Sequence, residues 1–289
     1  MINLYVLGKK GLDSVAGINT MHLAAINALI IGKDSGVVND YSADIETFAK
    51  NNNINYFFRN QTDTGILAKA KLNIAIGWRW LIPLELPLIV FHDSILPKYR
   101  GFNPLVTALI NGDTKIGVTA LKGTEEFDKG DIIGQRILPI AYPIKIKEAI
   151  DLLSKEYALL LDEVISAYSI DSISATPQNE SEATFSLWRD EEDYNIDWHL
   201  DNTTIKRTID ALGFPYNGAA THIDDTRLRI FDAETFEDVN IVNRTAGKVL
   251  FKHMGGYVIV CGKGLLKVKE FFTDDGQPID TNKFRIRFK

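Results

Sequence analysis

Only one cysteine, Cys261, occurs in 289 residues. No disulfide can form within the chain, and nothing in its thiol content points to an oxidising compartment. Long apolar runs are missing too: no stretch of about 18 apolar residues appears, and the opening MINLYVLGKK has no basic leader before such a stretch. Neither a transmembrane helix nor a secretion signal is expected, no membrane partner follows, and the expected location is the cytoplasm. Positive charge is not in excess either. The 32 Lys and Arg against 38 Asp and Glu leave a formal charge of −6 and a pI near 5.5. That balance disfavours a surface built to grip phosphate backbones, so no nucleic-acid partner is expected, while a local basic pocket stays compatible with it. His22, His199, His222 and His253 share no metal-ligand spacing, and no metal is expected. The segment VLGKKG supplies Gly8 and Gly11 but not a full dinucleotide fingerprint, which excludes a nicotinamide cofactor. Nucleophile elbows, phosphate-binding lysine loops, internal repeats and low-complexity tracts are likewise absent.

Hydrophobic residues make up 45% and charged residues 24%, ordinary for a chain that buries a substantial core. The length favours two domains. Through the first half, short apolar runs alternate with helix-length segments, as a mostly parallel sheet covered by helices requires, an α/β class. Strands are expected at residues 2–7, 28–31, 54–58, 73–76, 88–91, 117–121 and 131–138. NPLVTALING predicts a helix with Asn103 as N-cap, Pro104 at its first position and Gly112 just beyond its end. Apolar residues recurring from Ile146 to Val164 at three- or four-residue intervals predict a second, core-packed helix. SISATPQNESEAT reads as a linker, so a boundary near residue 180 would divide a domain 1–180 from a smaller one, 181–289. The latter opens with an amphipathic segment at residues 204–212. Short β-rich runs separated by turn signals then suggest a small barrel, with Cys261 in its core.

Val90 and His92 alternate onto one face near the carboxyl end of a predicted strand, where open parallel sheets bind ligands. His92 is therefore a candidate acid–base or electrostatic group. The competing reading is a hydrogen-bonded histidine under a loop. Asp128 in FDKGDI would orient such a ring, although Asp-x-Gly is also plain turn chemistry. Asp131 reads as structural. The loop SILPKYRG brings Ser94, Lys98, Tyr99 and Arg100 ahead of a helix start, an arrangement suited to a pyrophosphate and equally to a solvated basic turn.

Together, FHDSILPKYRG and FDKGDI resemble the signature of the 10-formyltetrahydrofolate-dependent formyltransferases, and the interval from His92 to Asp128 suits that family. SLWRDEEDYNIDW, IDALGFPYNGAATHI, GKVL and CGKGLLKV resemble the small C-terminal domain of members acting on nucleotide-linked amino sugars. The resemblance implies a Rossmann-like N-terminal domain, a smaller β-rich, OB-like C-terminal domain, and formyl transfer from 10-formyltetrahydrofolate to the amine of a nucleotide-linked amino-dideoxysugar, dTDP-linked by preference. Such a product serves bacterial surface polysaccharide, the O-antigen of lipopolysaccharide. It further implies that His92 stabilises the oxyanion and shuttles a proton, with Asp128 orienting it and helping deprotonate the attacking nitrogen. Ser94, Lys98, Tyr99 and Arg100 would position substrates, the cations near the pyrophosphate. Trp188, Arg189 and Tyr216 would meet the nucleotide or sugar. Trp78, Trp80, Leu81 and Ile82, with Asp128, would hold the folate largely through main-chain groups. A homodimer is the implied assembly.

One departure stands out. Where the family carries an asparagine two residues before the histidine, this chain has Val90, which donates no hydrogen bond. Losing one oxyanion donor costs on the order of 10²–10³ in turnover. Replacement of the donor by a water, a main-chain N–H or Asn103 is the favoured reading, ahead of a slow enzyme or a non-catalytic nucleotide-sugar or folate-binding protein. Methionyl-tRNA formyltransferase is the alternative within enzymes.

Overall fold

Seven strands of the first half assemble into one sheet because their apolar runs are covered from both sides. The computed structural model describes residues 1–279, 283 and 285–289. In chain order the elements of this half are β1 (Ile2–Val6), α1 (Gly8–Ala16), α2 (Thr20–Leu23), β2 (Ile26–Ile31), α3 (Ser42–Asn51), β3 (Asn55–Phe58), α4 (Thr64–Leu67), β4 (Leu72–Ile76) and β5 (Leu88–His92). There follow the two-residue β6 (Arg100–Gly101), α5 (Pro104–Asn111), β7 (Lys115–Lys122), β8 (Ile132–Pro139), α6 (Ile146–Ser169) and the short β9 (Phe185–Ser186). The sheet runs β3-β2-β1-β4-β5-β7-β8. Its first five strands are parallel, and β7 and β8 join antiparallel.

Central β2 is buried at all six positions, as a strand covered on both faces must be. Register across the centre is pinned by side chains: Asn27 donates to Asn3 at 2.8 Å and Asn3 to Asn73 at 3.1 Å, a buried amide ladder over β2, β1 and β4. The mixed sheet agrees with the α/β class read from the sequence, and each predicted strand lies within two residues of an observed one.

The chain divides into two compact units, one of residues 1–105, 114–140 and 149–187, the other of residues 106–113, 141–148 and 188–289. In the second, α7 (Asn202–Leu212) is capped by Asp201, whose carboxylate accepts from Thr203 N and Thr204 N at 3.0 Å each. β10 (Ala219–Ile223) and β11 (Thr226–Ile230) form a hairpin, while β12 (Glu234–Phe236), β13 (Val249–His253), β14 (Gly256–Val260) and β15 (Leu265–Val268) form an antiparallel sheet in the order β12-β15-β14-β13. Buried Val258, Val260 and Leu265 make its core against Phe236, Ile241, Leu250 and Phe251. Cys261 is fully buried, and burial pushes its thiol up to about 12.

Candidate active site

His92 is the last residue of β5, at the carboxyl edge of the parallel strands. Its ring is nearly buried, with the side chain 9% exposed. Nε2 lies 2.7 Å from the carbonyl oxygen of Tyr99. A carbonyl only accepts, so Nε2 carries a proton and the ring is held in one orientation. Nδ1 then faces Asp128 Oδ1 at 3.5 Å, beyond hydrogen-bond range. The other carboxylate oxygen, Oδ2, accepts from Gly101 N at 2.8 Å. One oxygen of Asp128 is thus committed to the backbone and the other is aimed at the imidazole.

Positive backbone φ angles concentrate here. Tyr99 (φ 59°), Asn103 (φ 49°) and Asp128 (φ 55°) belong to the two loops that meet at His92. Non-glycine residues persist in that region only where their surroundings hold them. What holds Asp128 is visible. Gln178 donates from Nε2 to the carbonyl oxygens of Asp128 (2.7 Å) and Gly130 (2.8 Å), fixing both ends of the turn. For Asn103, the left-handed φ departs from the extended backbone of the expected N-cap.

Arg100 differs from its expected role. Its side chain is completely buried, and it donates to Glu180 from Nη1 (2.9 Å) and Nη2 (2.7 Å) and to Gln178 from Nε (3.1 Å) and Nη2 (2.8 Å). A guanidinium so engaged is a strut and is not available to a pyrophosphate. The expected linker changes role with it. Tyr99 N donates to Thr184 Oγ1, Arg100 N to Thr184 O, and β6 pairs with β9. Thr176 bridges Ile132 in both directions at 2.8 Å. Polar composition suggested a free connector; its polar groups in fact partner the site loops.

Immediately after His92, Asp93 binds the Lys10 ammonium and the Tyr157 hydroxyl, tying the end of β5 to α1 and α6. Burial opposes the charge of Asp93, yet Lys10 and Tyr157 hold its carboxyl below the usual range. Burial and the same carboxylate raise the Tyr157 phenol well above its ordinary value, so it remains a donor.

Ser94 is buried, its carbonyl bonded by Thr119 Oγ1 at 2.7 Å, and its own hydroxyl has no partner among the described residues. Lys98 is exposed. Val90 is partly exposed, on the same face of β5 as His92. In the loop after β4, Trp78 and Trp80 stack edge-on at 4.9 Å and lie against Gly32, where an added Cβ would come within 2.8 Å of Trp80 and 3.2 Å of Trp78. Their rings face the end of β2. Trp78 Nε1 is buried and unpartnered among the described residues, Leu81 is exposed and Ile82 half-buried. Trp78 Nε1 and Ser94 Oγ are thus buried groups whose hydrogen-bonding capacity is unspent among the described residues. Trp188, Arg189 and Tyr216 belong to the second unit. There Trp188 is exposed, Arg189 has a buried Nε with no partner among the described residues, and Tyr216 N donates to Gly213 O at 3.0 Å. Sequence reasoning missed Gly101, Gln178, Glu180 and the Lys10–Asp93–Tyr157 cluster, of which only the glycine beside Arg100 had a local signal.

Residues 45–157 match the formyl transferase family and residues 189–288 its C-terminal domain. A methionyl-tRNA formyltransferase of Herpetosiphon aurantiacus is 30% identical over 194 residues, 67% of this chain and 62% of that protein. One from Streptococcus thermophilus is 31% identical, with 58% of its length covered, so the chain spans about 60% of the curated relatives it matches. Among solved structures, the N-formyltransferase from Helicobacter canadensis in complex with folinic acid and dTDP-3-aminofucose superposes with a TM-score of 0.70 at 18% identity, covering 96% of this chain and 99% of that one. No helix among the described residues is long and apolar enough to cross a membrane. The two domain matches, lying either side of the segment that braces the His92 loop, make this chain a member of the formyl transferase family.

Proposed function

We propose that the protein transfers a formyl group from 10-formyltetrahydrofolate to the amine of a nucleotide-linked amino-dideoxysugar, dTDP-linked by preference. The observation that carries the reading is the His92–Asp128 pair at the carboxyl edge of the sheet, with one carboxylate oxygen held by Gly101 N and the other directed at the ring. The folate supplies the formyl group as an amide whose carbon is open to an amine. Asp128 Oδ1 takes the proton of the attacking nitrogen and hands it to Nδ1 of His92, from which it passes to the departing nitrogen as the carbon–nitrogen bond of the folate breaks. While it carries that proton, the imidazolium would also stabilise the charge that develops on the formyl oxygen. With valine at position 90, the unpartnered Ser94 hydroxyl is a donor left for the substrate. The main chain of residues 78–82 and Asp128 would hold the folate.

Support for a sugar acceptor comes from the end-to-end likeness to the Helicobacter canadensis enzyme and from the chain's net charge of −6. A second reading, methionyl-tRNA formyltransferase, has the curated relatives in its favour. Incubation with 10-formyltetrahydrofolate and a panel of dTDP-amino sugars, and separately with initiator methionyl-tRNA, separates the two by which acceptor gains the mass of a formyl group. Gain on neither, with folate or nucleotide still bound, would leave a binding protein and end the enzymatic reading.

A further inference from the structure

A second concavity opens at the same sheet edge, away from His92. β2 and β3 run in register from Ala28–Asn55 to Ile31–Phe58, and Arg59 N donates to Ile31 O at 3.0 Å, so the residues following both strands emerge side by side. Between them lies a cleft of about 260 Å³ lined by Ile31, Lys33, Phe58, residues 59–61 and Trp80. Its two cations are seated on rings. Lys33 Nζ is 4.5 Å from the centroid of Phe58, and Arg59 Cζ is 4.5 Å from that of Trp80. Trp80 in turn rests on Gly32, where no side chain fits without displacing it.

Ring faces position a cation without neutralising it. Among the described residues neither Lys33 nor Arg59 has a carboxylate within ion-pair distance, whereas the neighbouring Arg79 is bound to Asp34. The charge of Lys33 reaches Asp40 and Glu46 only at longer range. The Arg59 guanidinium also donates to no acceptor among the described residues, so its N–H edge is unspent. Asn60 and Gln61 add amide groups at the rim. The combination is two fixed, unneutralised cations in a concave wall at the carboxyl edge of a parallel sheet, where ligands of such sheets bind.

We propose that this cleft binds a ligand group carrying two or more oxyanion charges, with Lys33 and Arg59 as its charge partners and Trp80 as the wall beneath. Four strand spacings of about 4.8 Å separate the end of β3 from that of β5, which sets the cleft roughly 15–20 Å from His92. It therefore lies apart from His92 and does not rest on the proposed reaction, although its wall, Trp80, belongs to the 78–82 segment proposed to hold the folate through its main chain. Two sources share the required chemistry, the pyrophosphate of a nucleotide and the carboxylates of a glutamyl tail.

The test is a titration of the full-length chain with inorganic pyrophosphate and, separately, with tri-γ-glutamate at low salt, followed by tryptophan fluorescence. Lys33→Gln, Arg59→Gln and the double variant are compared with the native chain, and circular dichroism verifies that each is folded. Saturable quenching by at least one anion is expected, weakened about tenfold in each single variant and further in the double. Tighter binding of pyrophosphate assigns the phosphoryl source; tighter binding of tri-γ-glutamate assigns the glutamyl one. Absence of saturable binding by either anion, or equal affinity in the double variant, overturns the proposal. His92→Ala should bind the anions unchanged, so failure here is distinguishable from failure of formyl transfer.

Discussion

His92 reaches an acceptor with Nε2 alone, the carbonyl oxygen of Tyr99, while Nδ1 faces Asp128 from 3.5 Å, so the atom that fixes the ring belongs to the main chain. Replacing it by alanine should lower formylation by about 10²–10⁴, the usual weight of a positioned acid–base group. Undiminished turnover in steady-state assays would remove the mechanism. Val90→Asn restores the donor missing from β5 and should raise turnover, by up to about 10²–10³ if no other group has taken its place. The size of that gain measures how far Ser94 or a main-chain N–H compensates. His92 and Asp128 were legible in the sequence because strand alternation and a turn motif single them out. The carbonyl of Tyr99 and the N–H of Gly101 were not, since every residue has them. Arg100 was misread for a related reason: a cation in a basic loop looks free until its acceptors, Gln178 and Glu180, are found far along the chain. Arg100→Lys keeps the charge but cannot reproduce the fork. A loss of about 1–3 kcal/mol is expected on denaturant unfolding, together with weaker activity.

Between elements, the site depends on how β5, the turn at residues 128–130 and the segment 176–186 are fastened. Gly130 sits so close to β7 that an added Cβ would lie 1.8 Å from the carbonyl oxygen of Lys122. Gly130→Ala must displace the Asp128 turn, and a destabilisation of at least about 3 kcal/mol is expected by thermal or denaturant melting. Asp93 makes a different prediction. Its folded carboxyl lies below the ordinary 3.8, so its contribution to stability is complete above that value and is lost as pH falls through the lower folded one. Melting midpoints of the native chain and Asp93→Asn should accordingly differ most near neutrality and converge in acid. Strands and the long helices were legible from periodicity, which follows from burial on one or both faces. The segment 172–184 was not: a polar composition describes solvent-facing linkers and buried hydrogen-bonding braces alike.

For the molecule as a whole, net charge bears on the choice between acceptors. A formal charge of −6 disfavours the broad basic face that a polynucleotide demands. Filter binding of initiator tRNA near physiological salt should give nothing tighter than the non-specific range of about 10⁻⁴–10⁻⁶ M. Specific, sub-micromolar retention would favour the methionyl-tRNA reading instead.

The bracing of Arg100 by Gln178 and Glu180 also bears on how the N-terminal part of the chain would be produced by itself. A stop codon near residue 175 would delete both acceptors and strand a guanidinium in the interior, so the shortened product should precipitate. Extending the same product through residue 187 keeps β9 and the brace, and offers the sounder starting point for expression.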